Sequence, residues 1–111
     1  MRESNQPWQF NRIFIKSEKK YTQLIIEEIQ YIEASGNYTK IITTTETITT
    51  REKFSTIVST LPENIFMQVH KSFAVAPLHI KSIEGNQIVI GDAKVPIGKL
   101  YKLNVNRLLE S

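Results

Sequence analysis

Short apolar runs of strand length, each closed by charged or turn-forming residues, recur along most of this chain and restrict it to folds built from short strands. Ile13-Phe14-Ile15, Leu24-Ile25-Ile26 and Ile29-Gln30-Tyr31-Ile32 come first, separated by the pairs Lys19-Lys20 and Glu27-Glu28. Sixteen Ile, six Val and ten Thr, together 32 of 111 residues, are β-branched. Such side chains suit a pleated, half-buried surface and lose rotamer freedom in a helix, so the composition favours strands. The length fits one domain with its own core. No apolar run approaches a membrane span or the core of a signal peptide, so a soluble, cytoplasmic protein is expected.

Turn signals divide the runs into hairpins. Ser35-Gly36-Asn37 precedes Tyr38-Thr39-Lys40-Ile41-Ile42, because Gly and Asn tolerate the positive φ that a tight turn needs. The Thr-rich stretch 43–50 then supplies an edge strand around Glu46-Thr47-Ile48-Thr49. Further on, Phe66 to His70 and Ser72 to Val75 read as two short strands meeting at Lys71. Gly85-Asn86 and Gly91-Asp92 mark two more tight hairpins before Pro96. Residues 1–11 are polar, contain Pro7 and lack a period, so they read as a linker or arm on which Trp8 and Phe10 can dock. The domain is assigned to residues 12–111.

Two helices are expected among these strands. Phe54, Ile57, Val58 and Leu61 recur at helical spacing, Thr49 with Glu52 fits a capping box, and Pro62 follows, so the spacing predicts a helix from about Thr50 to Thr60. From Lys99 onward, Tyr101, Val105 and Leu108 keep the same spacing and predict a short C-terminal helix. The fold class is therefore mainly β, with one short internal helix and one at the end.

The sequence carries no assembled catalytic or metal site. There is no Cys, and His70 and His79 stand nine residues apart without a carboxylate cluster, which is not a metal-ligand spacing. No phosphate-binding loop, G-x-S-x-G or H-E-x-x-H occurs. His70 beside Ser72 is the one pairing that hints at a nucleophile, and it lacks an orienting acid and an oxyanion loop. No enzyme activity, metal or cofactor is expected.

Charge points elsewhere. The formal charge is +3, and beyond Asn64 six cations, Lys71, Lys81, Lys94, Lys99, Lys102 and Arg107, face only Glu84, Asp92 and Glu110. Three segments place Lys among short polar residues at a strand end or turn: Glu33 to Lys40, Val69 to Phe73, and Val95 to Lys102. Ammonium groups there can meet phosphates, while hydroxyls and amides can bond to backbone or base edges. Each segment taken alone also fits a solvated loop.

Taken together, Tyr31-Ile32-Glu33 with Asn37-Tyr38, the block Phe66-x-x-Val69-His70-Lys71-Ser72-Phe73-x-Val75, and the ending Val95-Pro96-Ile97-Gly98 resemble the LytTR family. Order and spacing match across about Ile13 to Tyr101. The resemblance implies small antiparallel sheets placed side by side, whose loops enter successive major grooves of double-stranded DNA. It implies the output domain of a bacterial transcription regulator, usually preceded by a phospho-receiver in a two-component system. The alternative is a β-rich module that binds an acidic protein.

Carried over by position, the resemblance marks Asn37, Tyr38, Thr39, Lys40, Lys71 and Lys99 as DNA-binding residues, and Lys102 joins them as the last cation of the third segment. His70 and Ser72 match as well, with contact to phosphate open for each beside bracing of the loop by His70 and capping of its own turn by Ser72. The chain departs from the family where Lys71 replaces a common Arg, Ala76 a common Asn, and Gly98-Lys99 a common Ser-Arg. Lysine is a point charge and lacks the planar fork that grips guanine. The isolated domain is expected to be a monomer that binds direct repeats weakly, with dimerisation supplied by another domain.

Overall fold

The computed structural model describes residues 11–110. The expected arm lies outside them except for Asn11, whose side chain donates to Glu27 at 2.6 Å. Among the described residues the chain forms three antiparallel sheets. β1 (Arg12–Ser17) and β2 (Lys20–Ile25) make a hairpin. A five-stranded sheet follows, built from β3 (Ile29–Ser35), β4 (Tyr38–Thr43), β5 (Thr47–Thr50), β6 (Met67–His70) and β7 (Phe73–Val75) in the order β5-β4-β3-β7-β6. β8 (Ile80–Glu84), β9 (Gln87–Ile90) and β10 (Ala93–Pro96) form a three-stranded meander. Helix α1 (Phe54–Thr60) joins β5 to β6, and α2 (Lys102–Glu110) ends the chain. The mainly β class, the small sheets and the two short helices all stand as the sequence predicts.

Strand alternation gives the five-stranded sheet two apolar faces, and each face has its own cover. Ile32 and Ile41 are cross-strand partners on one face, where they pack with Ile15 and Leu24 of the hairpin and with Ile57 of α1. Tyr31 and Val75 are partners on the other, where they meet Ile88, Ile90 and Val95 of the meander and Val105 of α2. The period of two along β3 thus feeds two separate cores. A register irregularity between Ile29 and Tyr31 lets Ile29 join the same face as Ile32.

The start of α1 differs from the expectation. Thr49 and Thr50 do not cap the helix, because they belong to β5 and pair with Lys40 and Thr39 of β4. The Thr50 hydroxyl donates to the Lys16 carbonyl at 2.6 Å and accepts from the Glu52 N–H at 3.1 Å. The Glu52 carboxylate accepts from the Lys16 N–H at 3.1 Å, so it ties β1 to the sheet edge and closes no capping box. The helix begins only at Phe54, with Lys53 as an extended residue before it and no side-chain cap.

The two cores share no buried residue, which makes their contributions separable. Ile32→Val and Ile88→Val each remove one methylene from a fully buried site and should each cost about 0.5–1.5 kcal/mol. In urea titrations the double variant should lose the sum of the two within about 0.5 kcal/mol. A large departure from additivity would mean that the sheet does not insulate one core from the other.

Candidate nucleic-acid interface

Antiparallel pairing brings the three motif segments to one end of the five-stranded sheet. β3 leaves and β4 enters through the turn Gly36-Asn37, closed by the Ser35–Tyr38 pair. Gly36 takes φ +62°, a left-handed conformation that favours glycine, although a Cβ there would meet nothing within 4 Å. β6 and β7 meet at Lys71-Ser72 beside this turn, and the Ser72 carbonyl accepts from the Ala34 N–H at 2.8 Å. The third segment is tied in by the Gly98 N–H, which donates to the Val69 carbonyl at 2.7 Å. A 3-10 turn at Lys99–Tyr101 follows and leads into α2.

The expected site residues then separate by environment. Asn37, Lys71, Lys99 and Lys102 are exposed, and Tyr38 keeps 42% of its surface accessible. Lys40 is half-buried and stands opposite Glu33 in the β3–β4 register, so a carboxylate neighbours its charge. Thr39 does not fit the contact set: it is 2% exposed and its hydroxyl donates to the Glu52 carbonyl at 2.7 Å. It points into the face shared with Ile41, away from Tyr38 and Lys40. Alternation along β4 sends every second residue inward, which the local pattern of polar letters did not reveal.

His70 braces its loop in this structure. Its Nδ1 accepts from the Ser72 N–H at 3.1 Å, which requires an unprotonated Nδ1. Its ring meets Phe73 edge-on at 5.5 Å and 71°, and Phe73 stands 6.4 Å from Tyr31. Burial, with the Glu33 carboxylate second, raises the Tyr31 phenol above its ordinary value of 10.0, so the neutral, packed form is favoured. Gln68 adds a cross-tie, donating to the His70 carbonyl at 3.1 Å and reaching the Tyr101 hydroxyl at 3.4 Å. Asn104 of α2 donates to the Gln68 carbonyl at 3.2 Å.

Gly98 sits in a close approach. A Cβ there would lie 3.1 Å from the Tyr101 ring and 3.3 Å from the His70 Cα, so the neighbours would have to yield. Glycine at this position therefore lets the Lys99 turn lie directly on the His70 loop.

Sequence reasoning missed Arg51. The β4–β5 register pairs Thr39 with Thr50, which sets residue 51 beside Tyr38. The Arg51 guanidinium lies 5.4 Å from the Tyr38 ring centroid, and its Nη2 donates to the Tyr38 hydroxyl at 3.3 Å. The signal was the hairpin register, which the sequence does not print. Gln68 and Tyr101 were likewise invisible as partners. No group of three or more His, Asp or Glu side chains able to hold a metal occurs among the described residues, and no helix there is long and apolar enough to cross a membrane.

The geometry defines a β-built module that gathers the exposed Lys71, Lys99 and Lys102 at one end of its five-stranded sheet. The chain belongs to the LytTR family: the family model described as the LytTr DNA-binding domain matches residues 13–110. It is 26% identical over 107 residues to the sensory transduction protein LytT of Bacillus anthracis, covering 91% of this chain and 44% of that protein. It is 34% identical over 70 residues to the transcriptional regulatory protein NatR of Bacillus subtilis, covering 63% of this chain and 30% of NatR. The chain thus spans less than half the length of these curated relatives. A solved LytTr DNA-binding domain from Bacillus cereus has the same fold, with a TM-score of 0.78 at 21% identity, covering 91% of this chain and 98% of that one.

Two substitutions test the roles assigned by burial. Thr39→Val keeps the shape but leaves the Glu52 carbonyl without its partner, and should lower stability by about 1–3 kcal/mol in chemical denaturation while leaving the folded protein's DNA affinity unchanged. His70→Phe keeps the ring packing and removes the acceptor. Amide exchange at Ser72 should then be faster, and an unchanged rate would show that the Nδ1 contact does not hold the loop.

Proposed function

We propose that this domain reads double-stranded DNA as the output module of a bacterial transcription regulator, acting in the cytoplasm within a two-component system. Membership of a DNA-binding family supports the class of function. The observation that carries the interface is the knitting of three loops, two of them bearing exposed lysines, onto one end of one sheet. Asn37 and Tyr38 form one arm, Lys71 and Ser72 the middle, and Lys99 with Lys102 the other arm. Lys40 adds charge behind the first arm, and His70 acts by holding the middle turn.

In this reading the outer arms enter successive major grooves and the whole row supplies phosphate contacts. The curated relatives are more than twice as long as the matched segment, which fits a regulator whose other part receives the signal and dimerises. The domain alone is then a monomer that occupies one half-site of a direct repeat. Joining two such readers raises the effective concentration at the second site.

Selection of bound duplexes from a random pool is the direct test, followed by salt titration of a selected and a scrambled duplex. The selected duplex should bind more tightly, and affinity for both should fall steeply with salt. Lys71→Ala and Lys99→Ala should each cost roughly 1–3 kcal/mol if they read a base, or weaken all sequences alike if they meet phosphate. Lys81 is exposed at the opposite end of the meander, one residue after the Ile80–Ile90 pair, and Lys81→Ala should change little. Equal binding of selected and scrambled duplexes, or a larger effect at Lys81 than at Lys71, would overturn the reading. In sedimentation the free chain should run as a monomer, and a stable dimer would refute the role given to another domain.

A further inference from the structure

We propose that Arg51, held against Tyr38, is a further DNA contact of this domain, made to a backbone phosphate on the flank of the sheet beyond the three loops. The inference rests on the DNA-binding reading above and extends its footprint. No family motif marked Arg51. Its place comes from the β4–β5 register alone.

The guanidinium lies over an aromatic face 5.4 Å away and spends one N–H on the Tyr38 hydroxyl at 3.3 Å, a long bond. The remaining donors of its fork are uncommitted in the structure described, and Arg51 is exposed. An arginine already stacked on a ring has less rotamer freedom to lose when it grips an anion. It stands at the same sheet end as Asn37 and Tyr38. β5 lies three strands from β7 and four from β6 in the sheet order, so Arg51 is about 15–20 Å from the Lys71 turn at the usual strand spacing of about 4.8 Å. That is roughly half of one duplex turn of about 34 Å. One bound duplex can therefore reach both.

Phosphate is the favoured ligand because the surroundings form a track. A groove beside β5 is lined by Lys16, Lys20, Tyr38, Thr47, Thr49 and Arg51. Cations and hydroxyls spaced along a flank match a sugar-phosphate strand better than a single base edge. Glu18, Glu46 and Glu52 also line this groove. The Glu52 carboxylate accepts from the Lys16 N–H, and Glu46 precedes the far end of β5, about 15 Å from Arg51 along an extended strand. Glu18 stands in the β1–β2 turn beside Lys19 and Lys20. Glu52 adjoins Arg51 with its carboxylate held on the Lys16 N–H, so Glu46 alone marks a separate acidic end, and the contact falls beside Tyr38, away from it.

The test uses the whole chain and one duplex recovered from the random pool, with a scrambled duplex beside it. Arg51→Gln and Arg51→Met remove the charge, Arg51→Lys keeps it, and Lys53→Gln removes an equal charge two residues away. Thermal unfolding checks that each variant folds. One lost phosphate contact should make the slope of log affinity against log salt shallower by about 0.9, which is roughly an eightfold loss at 0.1 M salt. That loss should be the same for both duplexes, Arg51→Lys should restore the slope, and Lys53→Gln should leave it unchanged. An unaltered slope in the two Arg51 charge-removal variants, an equal change in Lys53→Gln, or a loss confined to the selected duplex would each overturn the assignment. Failure of the DNA-binding reading itself looks different: the unsubstituted chain then binds neither duplex in a salt-dependent way, and the Arg51 proposal falls with it.

Discussion

β3 is the strand on which the other elements depend, because both of its faces and both of its edges are occupied. Ile32 is completely buried on the face covered by the β1–β2 hairpin and α1, while Tyr31 packs on the opposite face with the meander and α2. β4 pairs along one edge and β7 along the other, and two backbone bonds extend the β7 edge past the ladder, from Ala34 N–H to Ser72 and from Ala76 N–H to Gln30. A strand in that position cannot slip by one residue without exchanging the contents of two cores. The register of β3 consequently sets where the Gly36 turn and the Lys71 turn end, and so sets the relative height of two loops that are far apart in sequence.

This explains how a small domain presents charged side chains without a recognition helix. Lysine side chains are flexible, but the backbone that carries them here is fixed at several points. Gly98 bonds Val69, Ser72 bonds Ala34, and His70 and Gln68 cross-tie the loops to one another and to Tyr101. The cost of ordering the loops is met in folding and not at the moment of binding, which favours affinity for a fixed array of phosphates. The hydrogen bond from Ser72 to His70 also shows why the motif couples those two positions: an acceptor two residues earlier satisfies an N–H that the β6–β7 turn leaves outside the ladder.

Much of this was legible in the sequence where the signal is local. Gly36-Asn37, Gly85-Asn86 and Gly91-Asp92 each sit at a hairpin turn, and all three glycines adopt positive φ. The C-terminal helix followed from the spacing of Tyr101, Val105 and Leu108, of which Val105 is buried. What was not legible depends on contacts between distant segments. Thr49-x-x-Glu52 has the letters of a capping box, yet Thr49 lies within β5 opposite Lys40 and the Glu52 carboxylate is taken by the Lys16 N–H of β1. Thr39 has the polarity of a contact residue and Arg51 has no motif. Register buries the first and sets the second beside Tyr38.

That placement bears on how such a domain discriminates sequence. Two positions where the family commonly carries Arg hold Lys71 and Lys99 here, and an ammonium group supplies attraction without the planar fork that distinguishes guanine edges. If those two lysines meet DNA as proposed, electrostatic attraction is retained while the directional part of recognition there weakens. Asn37 remains, with an amide able to form two bonds to an adenine edge, and Arg51 restores a fork at the sheet end, though on the flank. If Arg51 is spent on phosphate, its geometry orients the domain along the duplex and does not itself read a base. In the proposed reading, selectivity rests on Asn37 and on the shape of the DNA that the row of loops accepts, since a fixed array of contacts favours sequences that match its spacing at the least cost in bending.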